Sequence, residues 1–240
     1  MPIKTLIASV LAIALAGPAL AEDMAHDMAM EHGGGIFQMF RLETDYGASK
    51  DGGIATWDLD GWVGTDENKL WLKSEGDLKK DTLEDGEFWA LYSRNISTFW
   101  DAQAGVRYDV QPTSTAYAVL GINGLAPYWF ETEAHIFISE DGDVSARLRE
   151  ENDFLITQKL IIQPYVEANL YAQDIPERDI GAGVADAQVG LQTRYEFTRK
   201  FAPYFDVSYG RKFGETSSIA ERNGEDKDEI IGSIGLRLMF

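Results

Sequence analysis

The stretch EIIGSIGLRLMF, residues 229–240, governs the interpretation of the whole chain. Apolar or small residues occupy every second position, and Ser233, Gly235 and Arg237 alternate with them. A period of two predicts a β-strand with one oily face and one more polar face. The strand runs to Phe240 without a polar tail, as we expect of an outer-membrane barrel whose last strand closes a cylinder in lipid.

The same alternation recurs throughout residues 37–240. The clearest run is 100–110, where Ala104 and Val106 alternate with Gln103 and Arg107. Most runs have the length of about 10 residues that a tilted strand needs to cross the hydrocarbon. The predicted fold class is therefore all-β, an antiparallel transmembrane β-barrel of about 12 strands. The runs lie at 37–45, 54–64, 69–78, 87–95, 100–110, 115–125, 128–139, 143–154, 158–171, 184–197, 202–213 and 229–240.

The connections between these runs also suggest an orientation. Residues 46–53, 79–86, 172–183 and 214–228 are long and polar, and most of the others are short. Short periplasmic turns and longer outer loops are typical of outer-membrane barrels. An even strand count then places both chain ends on the periplasmic side. A secreted β-sandwich or soluble barrel would show the same period, and the strand length and the leader favour the membrane protein.

Residues 1–21, MPIKTLIASVLAIALAGPALA, predict a signal peptide. They carry Lys4, an apolar run too short to span a membrane, and a small-residue end at Ala19 and Ala21. We expect cleavage after Ala21. The predicted organisation is a signal peptide at 1–21, a flexible Met/His-containing periplasmic leader at 22–36, and an outer-membrane β-barrel at 37–240.

Composition excludes several classes of partner and site. The net charge of −19 argues against a nucleic-acid partner, which needs a basic patch, and suits cations. The chain has no cysteine, so it can form neither disulfides nor thiolate metal sites.

The leader contains the first candidate metal site, in MAHDMAMEH at residues 24–32. Thioether and imidazole are donors that copper prefers, and thioether selects Cu(I) in particular. The alternative is a polar leader whose Met and His residues have no role. The candidate ligands are Met24, His26, Met28, Met30 and His32.

The second candidate site lies on the predicted seventh strand. A spacing of two places Glu131, Glu133 and His135 on one face, which we expect to line the lumen. Carboxylates with an imidazole could bind Cu(II) or Zn(II). The favoured alternative is an ordinary charge network with Arg107, Arg147 or Arg149.

Two further patterns are weaker. The acidic sequence at 141–143 could bind calcium, but a tight turn explains it better. A barrel phospholipase would need Ser and His within hydrogen-bonding reach. Ser139 lies about 13 Å along the strand from His135, which also faces inward, so we expect no enzyme activity.

Several stretches together resemble the copper resistance protein B family of outer-membrane proteins. They include LWLKSEG at 70–76, FWDAQAGVRYD at 99–109, AVLGINGLAPYWFE at 118–131 and DIPERDIGAG at 174–183. The resemblance implies a barrel in a copper-handling system beside a periplasmic multicopper oxidase. Many members carry a long Met- and His-rich amino-terminal region, which here is reduced to MAHDMAMEH.

Three hypotheses follow for the function. The first is a copper resistance or homeostasis protein of the outer membrane that binds copper ions as cargo and sequesters or exports them. The second is a non-conducting membrane anchor for a periplasmic copper oxidase. The third is a general cation porin.

Overall fold

The computed structural model describes residues 35–50, 52–80 and 82–240. The predicted signal peptide and nearly all of the predicted leader lie outside the described residues. The described residues form thirteen β-strands: β1 (Phe37–Ser49), β2 (Gly52–Gly64), β3 (Asn68–Lys79), β4 (Thr82–Ser97), β5 (Trp100–Gln111), β6 (Thr115–Ala126), β7 (Phe130–Ser139), β8 (Val144–Glu151), β9 (Phe154–Leu155), β10 (Leu160–Tyr171), β11 (Gly183–Tyr195), β12 (Phe201–Lys212) and β13 (Asp228–Met239).

The sheet is antiparallel and closes on itself. Each strand pairs with the next along the chain, except that β8 and β9 both pair with β10, and β13 returns to pair with β1, opposing Leu238 to Leu42. The backbone N–H of Phe40 donates to Phe240 O at 3.0 Å, and Phe240 N–H donates back to Phe40 O at 3.1 Å. The closing role predicted for residues 229–240 is confirmed.

Twelve strands cross the barrel among the described residues, because β8 and β9 are two parts of one interrupted strand. Both pair with β10, β8 through Glu151 opposite Tyr165 and β9 through Phe154 opposite Ile162. Pro164 of β10 lies at the break and has no N–H to donate to a ladder. Its carbonyl accepts from Asn152 N–H at 3.2 Å. The continuous run predicted at 143–154 is therefore divided.

Two of the predicted long loops are wrong. β1 and β2 pair as far as Ser49 opposite Gly52, and β3 and β4 as far as Lys79 opposite Thr82. Backbone pairing between hairpin arms does not depend on apolar side chains, so polar residues here continue the strands. The other two connections are long, and one contains the helix α1 (Gly214–Asn223).

The two faces of the strands differ as the alternation predicts. Outward side chains are apolar and uncovered by protein, with Val106 60% and Leu120 57% exposed. Inward side chains are mostly polar or charged. One wall of the interior is an exception, where side chains from β3, β4, β6 and β7 form a buried apolar cluster of Trp71, Trp89, Leu91, Tyr117, Val119 and Phe137. Strand β4, aromatic on both faces in sequence, thus turns Trp89 and Leu91 inward.

Glycines let inward rings lie flat against neighbouring strands. Tyr165 of β10 is opposite Gly190, and Tyr204 of β12 is opposite Gly235. A Cβ on Gly190 would come within 2.2 Å of the Tyr165 ring, and one on Gly235 within 2.3 Å of Tyr204. Aromatic cover of a cross-strand glycine helps to set the register of a barrel.

No helix within residues 35–50, 52–80 and 82–240 has both the length and the apolar character needed to span a membrane.

The apolar cluster makes a prediction for stability. Leu91 is completely buried in it, so Leu91→Ala should leave a cavity and lower the free energy of unfolding by about 2–5 kcal/mol. Leu120→Ala is the matched control, because its side chain faces outward and its removal opens no cavity. Urea unfolding from lipid vesicles, followed by tryptophan fluorescence, measures both. Equal losses in the two variants would contradict the assigned faces.

Candidate functional site

The centre of the barrel interior is filled by charged side chains. We call this layer the waist. Its residues line a void of about 20 Å³ and come from β1, β2, β3, β4, β7 and β8: Arg41, Asp58, Asp60, Lys73, Glu75, Trp89, Glu133, Arg147 and Arg149. The alternation places them inward. Most of them lie opposite a charged residue on an adjacent strand, as Glu133 does opposite Arg149.

Arg147 of β8 is the most connected cation of the waist. Its Nη1 donates to Glu75 and, at 2.7 Å, to Glu87 Oε1, and its Nε lies 3.6 Å from Glu167 Oε1. The guanidinium carbon is 5.6 Å from the centre of the Trp89 ring. One arginine thus ties β8 to β3, β4 and β10 across the interior.

The other waist cations are paired as well. Lys73 Nζ is 2.9 Å from Asp60 Oδ2 and donates to Glu133 Oε2. Arg41 Nη1 donates to Glu151 Oε1 at 3.2 Å. Arg149 Nη1 lies 3.5 Å from Asp58 Oδ2. Removing one partner of a buried ion pair leaves the other charge uncompensated, which makes such networks strongly coupled.

A cavity lies on either side of the waist. The distal cavity, at the end opposite Phe40 and Phe240, has a volume of about 580 Å³. Among the described residues that line it, Asp and Glu outnumber Arg by twelve to six. The proximal cavity, at the end where Phe40 meets Phe240, has a volume of about 740 Å³, and its lining acids and bases nearly balance.

A folded-in loop narrows the distal mouth. It follows β10 at residues 172–182 and contains a 3-10 helix, Pro176–Arg178. Arg178 Nη2 donates to Thr115 Oγ1 at 3.0 Å and lies 3.5 Å from Asp109 Oδ2, and Ile175 is buried. Gly181 N–H donates to Thr216 Oγ1 of α1 at 2.9 Å. The sequence marks this loop only as long and polar, so its inward position was not predicted.

The five candidate ligands of the leader, Met24, His26, Met28, Met30 and His32, lie outside the described residues. The candidates on β7 line the lumen as predicted. Glu133 accepts from Lys73 and, at 3.3 Å, from Asn123 Nδ2. His135 Nε2 is 2.7 Å from Gln103 Oε1, and its ring meets Trp89 edge-on at 5.2 Å.

Glu131, Glu133 and His135 do not converge on one point. Glu131 is exposed at the proximal end, whereas His135 is buried. Among the described residues, no group of three or more His, Asp or Glu side chains has an arrangement that could hold a metal ion. Metal ligation by these three residues stays a prediction. The partner of Glu133 is Lys73, which no local sequence pattern marks.

The acidic turn at residues 141–143 is held by hydrogen bonds from its backbone N–H groups to Ser139. Ser139 Oγ accepts from Asp141 N–H at 3.2 Å and from Asp143 N–H at 3.0 Å. Gly142 takes a φ of +92°, which favours glycine. The tight turn expected here is what the structure contains.

Solved barrels share this architecture. The KdgM porin superposes with a TM-score of 0.54 at 11% identity, covering 83% of this chain and 99% of that one. The NanC porin superposes with a TM-score of 0.57 at 12% identity, covering 83% and 98%. At such identities the likeness is one of fold alone.

The sequence comparisons are more specific. The family model "Copper resistance protein B precursor (CopB)" matches residues 35–240. Copper resistance protein B of Escherichia coli is 40% identical over 186 residues, which are 77% of this chain and 63% of that protein. The copper resistance protein B homolog of Pseudomonas syringae pv. tomato (strain ATCC BAA-871 / DC3000) is 38% identical over 193 residues, 80% of this chain and 66% of the relative.

This chain therefore spans slightly less than two thirds of the length of either relative. The family match nevertheless covers every strand of the barrel, from β1 to β13. The resemblance seen in the sequence motifs is confirmed: the chain belongs to the copper resistance protein B family.

Proposed function

We propose that this protein confers copper tolerance at the outer membrane by binding copper ions and sequestering or exporting them. The observation that carries the proposal is the family match over residues 35–240, and the porin-like fold supports the location. Copper is the cargo here, and the proposal includes no catalytic step.

Capture of copper is assigned to the leader. Three thioethers and two imidazoles within nine residues provide soft and borderline donors that are close enough in sequence to share one ion. The lumen residues Glu131, Glu133 and His135 are a second candidate site. Copper binding there would compete with the contacts of Glu133 with Lys73 and of His135 Nε2 with Gln103.

The lumen bears on whether bound copper is held or moved. The excess of carboxylates around the distal cavity would attract cations and raise their local concentration. The waist opposes free passage, because its void of about 20 Å³ has room for little more than one water. Export through the lumen would therefore require the waist ion pairs to rearrange.

Each alternative has one observation in its favour. The filled waist favours a non-conducting anchor for a periplasmic multicopper oxidase. The acidic distal cavity favours a general cation porin. Neither alternative requires the leader to bind copper, and that difference allows a test.

The test compares the mature chain with a variant carrying Met24→Leu, Met28→Leu, Met30→Leu, His26→Ala and His32→Ala. We expect the variant to lose most Cu(I) binding and to lower copper tolerance in cells, because its soft donors are gone. Titration with Cu(I) and mass-spectrometric copper flux from proteoliposomes measure binding and movement. Binding that is unchanged by the five substitutions would discard the capture role. Copper flux that is equal in the two proteins would favour the porin. Copper flux that does not depend on the protein at all would favour the anchor or sequestration.

The waist makes a separate prediction. Arg147→Ala should leave Glu87 with Arg107 alone and Glu75 with the more distant Arg149, and so lower stability by up to about 3–5 kcal/mol, while opening a path that raises cation conductance in planar bilayers. Arg222→Ala is the control, because Arg222 forms an exposed pair with Glu215 on α1. A conductance that Arg147→Ala leaves at the level of the control would show that the waist does not limit passage.

The proposed orientation places the termini in the periplasm and α1 outside the cell. Since the chain has no cysteine, single cysteines report position without background. We expect a membrane-impermeant maleimide to label Asn223→Cys, at the end of α1, on intact cells. Lys200→Cys, in the turn before β12, should react only after the outer membrane is permeabilised. The reverse pattern would invert the assignment.

A further inference from the structure

The methionines of this chain are not scattered. Apart from Met1, three lie in the leader at 24, 28 and 30, and the remaining two are Met39 and Met239. These two come from the first and last strands of the barrel, yet both line the proximal cavity. All methionines beyond the predicted signal peptide are therefore in the leader or at the mouth next to it.

Closure of the barrel brings Met39 and Met239 together. The paired backbone hydrogen bonds between Phe40 and Phe240 fix the register, in which Met239 lies opposite Arg41. Met39 is thus a diagonal neighbour of Met239 across the seam, on the same inward face. Diagonal neighbours are about 7–8 Å apart, a distance that two long flexible side chains can bridge.

The other side chains near the pair are already engaged. Trp62 lies directly opposite Met39 on β2 and lines the cavity, and Lys69 Nζ lies 5.5 Å from the centre of its ring. Deeper in the barrel, Arg41 of β1 is paired with Glu151 and Arg237 of β13 with Glu43. These carboxylates are already neutralised, which makes the thioethers the distinctive donors at this point of the mouth.

We propose that Met39 and Met239 form a thioether site for Cu(I) at the proximal mouth, built by the seam that closes the barrel. The site takes a soft monovalent ion rather than Cu(II) or Zn(II), because thioether sulfur prefers Cu(I). It deepens the proposed function and rests on it: the leader captures copper, and the seam pair receives the ion where the lumen begins.

The covalent chain permits such a transfer. Met30 lies nine residues before Met39, and nine residues extend to at most roughly 30 Å. The leader thioethers are therefore tethered within reach of the seam pair. Tethering raises the effective concentration of one site at the other, which favours ligand exchange over release into solution.

The experiment uses the full mature chain in detergent, in a background with Met24→Leu, Met28→Leu and Met30→Leu. In that background we compare the seam residues intact with Met39→Leu/Met239→Leu. Probes are Cu(I) under reducing, anaerobic conditions, Ag(I) as a redox-inert analogue, and Cu(II). Leucine keeps side-chain volume and removes only the sulfur, so the barrel should remain closed.

We expect the double seam variant to bind Cu(I) and Ag(I) more weakly by about tenfold or more. Loss of a residue that only hydrogen-bonds a metal ligand already lowers metal affinity by about that factor. Cu(II) binding should be unchanged. Binding of Cu(I) that is identical with and without the seam methionines overturns the inference. If the leader substitutions alone abolish Cu(I) binding, the inference fails while the proposed function stands. If the unsubstituted mature chain binds no Cu(I), both fail.

A second variant tests the juxtaposition by a gain of binding. Met39→His/Met239→His should create a site that prefers Cu(II) over Cu(I), because imidazole suits Cu(II), and only if the two positions converge. Each single histidine variant serves as its control. A double variant that binds Cu(II) no better than the single ones would show that the two side chains do not meet, and would overturn the inference. Heat-dependent gel mobility verifies closure in every variant.

Discussion

Backbone hydrogen bonding across the seam between β1 and β13 is the constraint on which the rest of this structure depends. In lipid, a strand edge with unpaired N–H and C=O groups is costly, so a sheet must close completely. Here the seam runs from Ala48 opposite Gly232 to the reciprocal bonds between Phe40 and Phe240. Once that ring is closed, the inward or outward position of a strand side chain follows from the two-residue period, except at the register shifts of β3, β4 and β10.

Closure also determines the chemistry of the interior. The apolar faces of the strands turn outward, so the charged faces must share a narrow enclosed space, where their interactions are little screened. In the waist, each cation is paired with acids from other strands, as Arg147 is with Glu75 and Glu87. Around the distal cavity, acids remain in excess, twelve against six arginines among the described lining residues. An acidic mouth and an ion-paired centre thus arise from one arrangement.

Much of this could be predicted from the sequence, because alternation records which face meets lipid. The strand number, the closing strand and the lumen position of Glu133 and His135 follow from it. The lengths of the hairpins could not be predicted from the alternation, because backbone pairing continues through polar residues, as at Ser49 and Gly52.

Contacts between distant strands were also beyond the sequence. Neither the Lys73 partner of Glu133 nor the inward fold of the loop that carries Arg178 has a local signal. The seam pair Met39 and Met239 was hidden for the same reason. Only closure makes neighbours of the first and last strands.

The buried apolar cluster gives the cylinder two unequal sides. Trp71, Trp89, Leu91 and Phe137 interlock on the wall formed by β3, β4, β6 and β7, and such close-packed side chains resist displacement. The facing wall, β10 to β13, is held instead by polar contacts such as that of Tyr165 with Asp206 at 3.1 Å. Hydrogen bonds of this kind can exchange partners with water at little cost. Fluctuations in the shape of the barrel should therefore be uneven. The wall with the apolar cluster should stay rigid, and the wall from β10 to β13 should deform more easily.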